Sequence, residues 1–148
     1  MNMTPGVTRE HQGIDGLTWN ILGQTYVPKL VSDNAFVWYA EFPPETFVPP
    51  HIHPNQDEWI AVLEGEFELM LAGDTARAGP GDTIRLPMKI PHGIFNKTGA
   101  TVKCIFGVAP TGKLFDLFQK IHNVGDPGEV VKIAAAHDIE FLPPPPGA

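Results

Sequence analysis

The chain has 148 residues, a formal charge of -7 and a pI near 5.2. That length suits one domain that can bury a core without staples. The acidic balance, with no cluster of Lys or Arg, argues against nucleic acid and anionic membranes as partners. With one cysteine, Cys104, no intrachain disulfide can form, and in TVKCIFGVAP it reads as a small buried hydrophobe. The first residues hold no apolar leader and no run is long enough to span a bilayer, so cytoplasm is the expected location.

Residues 1–13 are polar and read as a loose arm. Leu17 to Ser32 is rich in β-branched and aromatic residues broken by Gly23 and Pro28, which predicts edge strands with a bend. After the Asp33-Asn34 turn, AFVWYAEF predicts a strand with Phe36, Trp38, Ala40 and Phe42 on one face. PPETFVPP then reads as a break in the chain. DEWIAVLE, FELMLA, TIRLP, HGIFN and TVKCIFGVA follow as strands between turn signals, a pattern expected of an all-β sandwich or barrel. The period then changes. Leu114, Leu117, Phe118 and Ile121 lie at i, i+3, i+4 and i+7, one face of a helix. A second short helix is expected after Asp126, with Pro127 in its first turn and Glu129 completing a capping box. The ending FLPPPPGA reads as a stiff surface tail. The expected organisation is an arm over 1–13, a β-barrel over 14–110, and a helical segment with a Pro-rich tail over 111–148.

The chemistry concentrates in HIHPNQDEWIAVLEG, from His51 to Gly65. Alternate side chains of a strand share a face, so His51 and His53 project together. Glu58 opens the next strand across a short turn and can converge on the same point, with Ile60 and Val62 inward and Trp59, Ala61 and Leu63 outward. In the segment after Gly81, His92, Ile94 and Asn96 share a face, which brings a fourth ligand inward. Three imidazoles and one carboxylate suit one divalent transition metal, with iron, manganese, nickel, zinc, cobalt and copper undistinguished. His11, His122 and His137 stand alone in the arm or beside short helices and are expected to bind none.

These two stretches resemble the two motifs of the cupin superfamily. The first is His51, His53, Glu58 and Gly65; the second is Gly81, Pro87, His92 and Asn96. At two turn positions where the motifs carry glycine, this chain has Glu45 and Lys89, which bears on loop geometry rather than on the ligands. The resemblance implies a jelly-roll barrel, the double-stranded β-helix, with short C-terminal helices and the metal inside, held by His51, His53, Glu58 and His92. Single-barrel members with all four ligands are often metalloenzymes and commonly pair as homodimers. The strand followed by a helix at Phe115 to Ile121 is similar to the small quercetin-dioxygenase-like group.

Four protein ligands leave about two positions of a six-coordinate ion open, whereas a closed tetrahedral zinc would be structural. Phe36, Trp38, Ile60, Val62 and Ile94 are expected to line an apolar cavity for a small organic substrate. The leading expectation is a dioxygenase acting on a chelating enol or phenol, flavonol-like in kind, with Glu58 as the catalytic proton acceptor. A metal-dependent isomerase or lyase, and a non-enzymatic small-molecule binding module, remain as alternatives. Trp59, outward on its strand, points to a homodimer face.

Overall fold

The computed structural model describes residues 1–143. Strands β1 (Trp19–Ile21), β2 (Gln24–Val31), β3 (Phe36–Phe42), β4 (Phe47–Ile52), β5 (Asp57–Glu64) and β6 (Phe67–Leu71) succeed one another through turns. Four more follow: β7 (Asp74–Ala78), β8 (Thr83–Leu86), β9 (His92–Phe95) and β10 (Val102–Ala109). Helices α1 (Leu114–Ile121) and α2 (Pro127–Ala135) and a last short strand, β11 (Glu140–Phe141), complete the described chain. The strands form two antiparallel sheets, ordered β1-β2-β3-β10-β5-β8 and β11-β4-β9-β6-β7. This is the expected all-β jelly roll.

Alternation decides what fills it. On β3, Phe36, Trp38, Ala40 and Phe42 are buried; on β5, Glu58, Ile60 and Val62; on β10, Val102, Cys104, Phe106 and Val108. The register explains how these rows meet. Phe106 lies opposite Trp38 on one side and Ile60 on the other, and the Trp38 and Phe106 rings stack with centroids 5.0 Å apart. The Cys104 thiol sits in this core near the Ala40 carbonyl, and burial pushes its pKa up, so it stays a neutral hydrophobe.

Two details depart from expectation and a third sharpens it. PPETFVPP does not break the chain: its second half is β4, prolines included. The β4–β9 register shifts between Val48 and His51, so Pro49 and Pro50 occupy an irregular stretch where missing N–H groups disturb no ladder. Of the expected edge strands, β1 is the edge and covers β2 only over Gln24 to Tyr26, so the side of β2 away from β3 is open at Pro28, and the register with β3 shifts between Pro28 and Leu30. β7, whose DTARA sequence has little strand propensity, forms by pairing with β6 at the sheet edge.

Helix α1 buries Leu114, Leu117, Phe118 and Ile121 as the spacing predicts, together with Phe115. Phe115 and Phe118 pack on Trp19 and Phe36, so the helix closes over the barrel's aromatic end. At α2, Asp126 accepts from the Gly128 N–H with Pro127 in the first turn, so the cap reaches Gly128 rather than Glu129. β11 then returns to β4, with Phe141 paired to His51. No helix among the described residues is long and apolar enough to cross a membrane. Pro144 to Pro146, three of the four prolines in the expected stiff tail, lie outside the described residues.

Candidate metal centre

The four expected ligands come together. His51 is the penultimate residue of β4, His53 directly follows the strand, His92 opens β9 directly opposite His51, and Glu58 arrives from β5 in the other sheet. Their donor atoms all lie within 4.8 Å of one another, and all four residues are buried. His51 Nε2 is 3.1 Å from His53 Nε2; Glu58 carboxylate oxygens lie 3.6 Å from His53 Nε2 and 3.2 Å from His92 Nε2. Adjacent donors on one ion with bonds of ~2.1 Å stand roughly 3 Å apart, so these separations fit a shared metal.

The far side of each ring shows which nitrogen is available. Nδ1 of His51 faces the Pro49 carbonyl at 2.8 Å, Nδ1 of His92 the Ile90 carbonyl at 3.2 Å, and Nδ1 of His53 the Gln56 Oε1 at 2.7 Å. Carbonyl oxygens only accept, so each ring carries its proton on Nδ1 and turns a bare Nε2 inward. The 3.1 Å contact between His51 and His53 is then two lone pairs face to face, which a shared cation turns from repulsion into binding. Glu58 Oε1 and His92 Nε2, although close, lack the geometry of a hydrogen bond and have no other partner. Buried polar atoms left in this way are costly unless something coordinates them. Gln56, which the sequence reading passed over as part of a turn, holds His53 and is itself held by its amide donating to the Pro110 and Thr111 carbonyls at 2.9 and 3.1 Å. Its signal was weak: a polar residue three positions from a candidate ligand, across a turn.

Electrostatics favours the ligand forms. Burial, then His92 and His53, pushes His51 down to about 3, so it is neutral at pH 7. Burial alone would raise Glu58, but His53, then His92 and His51, outweigh it and hold the carboxyl at about 2. A neutral imidazole beside an ionised carboxylate is what a divalent cation requires. The other three histidines stay out of the cluster. His11 is exposed, His122 accepts from the Asn20 N–H at 2.9 Å, and His137 faces the Ile133 carbonyl and Lys120.

Residues 38–108 match the cupin domain, a span that holds all four donors. The chain belongs to the cupin superfamily. Among solved structures, an RmlC-like cupin from Shewanella frigidimarina is 18% identical with a TM-score of 0.68, covering 78% of this chain and 99% of that one. KdgF from Halomonas sp. is 21% identical with a TM-score of 0.65, covering 72% and 94%. A cupin-superfamily sugar phosphate isomerase from Silicibacter pomeroyi is 22% identical with a TM-score of 0.54, covering 61% of each chain. No curated protein sequence matches the chain.

In this cupin, His51, His53 and Glu58 face a cavity of about 90 Å³, whereas His92 lies behind its wall. Of the five residues expected to line it, Trp38 and Ile94 do so, and Phe36, Ile60 and Val62 are packed into solid core instead. Alternation tells which face a residue takes, not where along the barrel space remains. Much of the wall comes from the C-terminal segment: Leu114, Leu117, Phe118 and Ile121 of α1, Val130 and Ala134 of α2, and Phe141 of β11. Polar handles are few. Tyr26 donates to Gln24 Oε1 at 2.6 Å, Gln24 donates to the Phe47 carbonyl, and burial raises the Tyr26 phenol well above its ordinary value, keeping it protonated.

Proposed function

We propose that this cupin is a mononuclear metalloenzyme. His51, His53, Glu58 and His92 bind one divalent transition metal, and the centre acts as a dioxygenase on a small neutral enol or phenol. The inward pair of bare Nε2 atoms 3.1 Å apart is the observation that carries the metal. The cavity wall carries the substrate class: among the described residues it holds no charged side chain apart from Glu58 and the histidines, and most of it is aliphatic or aromatic. Such an ion supplies Lewis acidity and, where redox-active, a route for electrons to dioxygen. Glu58 both faces the cavity and reaches the donor cluster, so it takes up the proton that a chelating hydroxyl releases. The apolar wall orients the rest of the molecule and keeps bulk water out.

A second reading is an isomerase or lyase using the same Lewis acid. A structurally similar protein is described as a sugar phosphate isomerase. Among the described residues the wall here contains neither Lys nor Arg to meet a phosphate, which favours the neutral substrate. An oxygen electrode separates the two readings, since turnover of a phenol or enol panel stops without oxygen only for a dioxygenase. A panel with no turnover in either atmosphere leaves a binding protein.

Glu58→Gln tests the role of the carboxylate. The variant folds and keeps most of its metal on three imidazoles, and turnover falls by roughly 10²–10⁴-fold, the usual worth of a placed acid or base. His92→Ala loses metal and activity together. Parental turnover by a metal-loaded Glu58→Gln protein would rule out the proton-transfer role.

The protein also pairs as a homodimer in this reading. Trp59 lies flat on the outer face of its sheet: a Cβ on Gly107 would come within 2.3 Å of the indole. The register sets Gly107 and the exposed Arg85 on either side of it. Val37 lies beyond Gly107 and Ile105 is the next residue on that face of β10, neither of these two fully buried, and Leu63 on the same strand as Trp59 is exposed. Light scattering at micromolar concentration gives twice the chain mass, and Trp59→Glu gives the monomer.

A further inference from the structure

We propose that a second, outer cavity belongs to the same substrate site and takes the apolar body of an elongated, uncharged substrate whose chelating end reaches the metal centre. The proposal rests on the metal-centre reading above. The inner cavity, at about 90 Å³, falls short of the roughly 300–1,000 Å³ usual for small-molecule sites. Beside it lies an outer cavity of about 510 Å³. Leu22, Phe47, Pro49, Val130 and Phe141 line both, so the two compartments are separated by a partition one side chain thick.

The partition is assembled from four places in the chain: the β1–β2 turn, β4, α2 and β11. Its last member, Phe141, sits in the two-residue strand β11, whose pairing with β4 is continued by the Leu142 N–H donating to the Pro50 carbonyl at 3.0 Å. The Phe141 ring centroid lies 5.3 Å from that of His51. A molecule that spans the two cavities therefore passes Phe141 before it meets the candidate ligands. Leu22 and Phe47 are also 38% and 53% exposed, and Val131, in the outer wall only, is 40% exposed. Large apolar side chains held in water at the mouth of a cavity that leads to a buried polar centre mark a ligand path. The charge pattern narrows the ligand. Among the described residues, Glu45 is the one charged side chain of the outer wall, and neither compartment offers Lys or Arg. Phosphates and carboxylates find no cationic partner there, whereas an alkyl or aryl chain finds apolar surface on Leu22, Phe47, Val130, Val131 and Phe141, with Asn20, Thr46 and Asn123 as the neutral polar side chains of the outer wall.

The test is calorimetric binding of catechol and its 4-alkyl homologues up to octyl, with zinc-loaded and metal-free protein. Zinc is redox-silent, so binding is read without turnover. Affinity should rise roughly three- to fourfold per methylene as the chain enters the outer cavity, the usual worth of a buried CH₂. Val131→Glu, which places a charge in the outer wall alone, should flatten the series while metal content confirms an intact fold. Metal-dependent binding of catechol with no dependence on chain length overturns the outer compartment and leaves the metal centre standing. A chain-length dependence that survives Val131→Glu is adsorption elsewhere and also overturns it. A dependence lost in Val131→Glu but equal with and without zinc supports the outer compartment and sinks the metal reading. Binding of no member sinks both.

Discussion

Strands β3 and β4 are neighbours in the chain, and each turns alternate side chains into the barrel. From β3 come Phe36, Trp38, Ala40 and Phe42, which pack on apolar and aromatic neighbours, the Trp38 indole N–H being the one polar side-chain atom of this row and buried without a partner. From β4 and the residue after it come His51 and His53, as deeply buried, whose inward atoms repel one another. Burial stabilises the first set at roughly 25 cal/mol per Å². It destabilises the second, since desolvated donors without partners cost free energy. The apolar strands hold the histidines where they would not gather unaided, and a shared cation would relieve that tension.

Substitutions should separate the two halves. Phe42, fully buried with its ring on the edge of Phe67, belongs to the half that stabilises. Phe42→Ala should cost about 3–5 kcal/mol of unfolding free energy, the range for a buried aromatic. The protein that remains folded should still take up about one equivalent of metal. A large loss of metal affinity at constant fold would show that the two halves are not separable in this way.

Gln56 tests the opposite half. Its side chain fixes His53 from behind and makes no contact with the donor atoms' inner side. Gln56→Leu should weaken metal binding roughly 10–100-fold, as loss of an orienting partner usually does, with a smaller effect on stability. Competition against a coloured chelator measures it. An unaltered affinity would mean that the backbone alone orients His53.

What the sequence made legible follows the same division. The four candidate ligands could be brought together because period-two alternation and a short turn are local facts, and His51, His53, Glu58 and His92 each obey them. Core rows such as Phe36 to Phe42 were legible for the same reason. β4 was not, because two prolines suppress the strand signal and only the irregular register with β9 accommodates them. β7 and β11 exist through their partners, β6 and β4, rather than through their own propensity. The amphipathic face of α1 announced that it would be buried, but not that it would wall a cavity over His51 and Glu58. That depends on how the chain returns after Ala109, which no local pattern encodes.

The histidine half should also be the acid-labile one. His51 has its pKa depressed to about 3, so the metal-free fold binds fewer protons there than the unfolded chain does below about pH 6.5. Its contribution is present above that pH and is lost as pH falls towards 3. Glu58, depressed to about 2, acts in the same sense at lower pH, from its ordinary value near 4.5 downward. The melting temperature of metal-free protein should therefore fall steadily from pH 7 to pH 4, and His51→Phe should lessen the slope. A flat profile over that range would mean that the His51 ring does not stay neutral when buried.

The smallest expected effect lies in the turns that brace the site. Glu45 and Lys89 stand where the cupin motifs have glycine, and both adopt left-handed backbone, with φ of 66° and 68°. The backbone has kept the shape for which glycine is suited, although the side chain has changed. For residues with a Cβ this conformation costs roughly 1–2 kcal/mol. Glycine removes that strain but gives back part of it as extra freedom in the unfolded chain, roughly 0.5–1 kcal/mol. The Lys89 N–H donates to the His53 carbonyl at 2.9 Å, and the Glu45 N–H donates to the Asn96 carbonyl at 3.0 Å, so each turn supports a motif residue. Lys89→Gly and Glu45→Gly should each raise stability by a few tenths of a kcal/mol to about 1. Neither should alter metal affinity, because the hydrogen bonds come from the backbone. Chemical denaturation of the two variants, singly and together, measures the gain. Destabilisation by Lys89→Gly with metal binding retained would show that the lysine side chain, not the turn geometry, braces the loop beside His53.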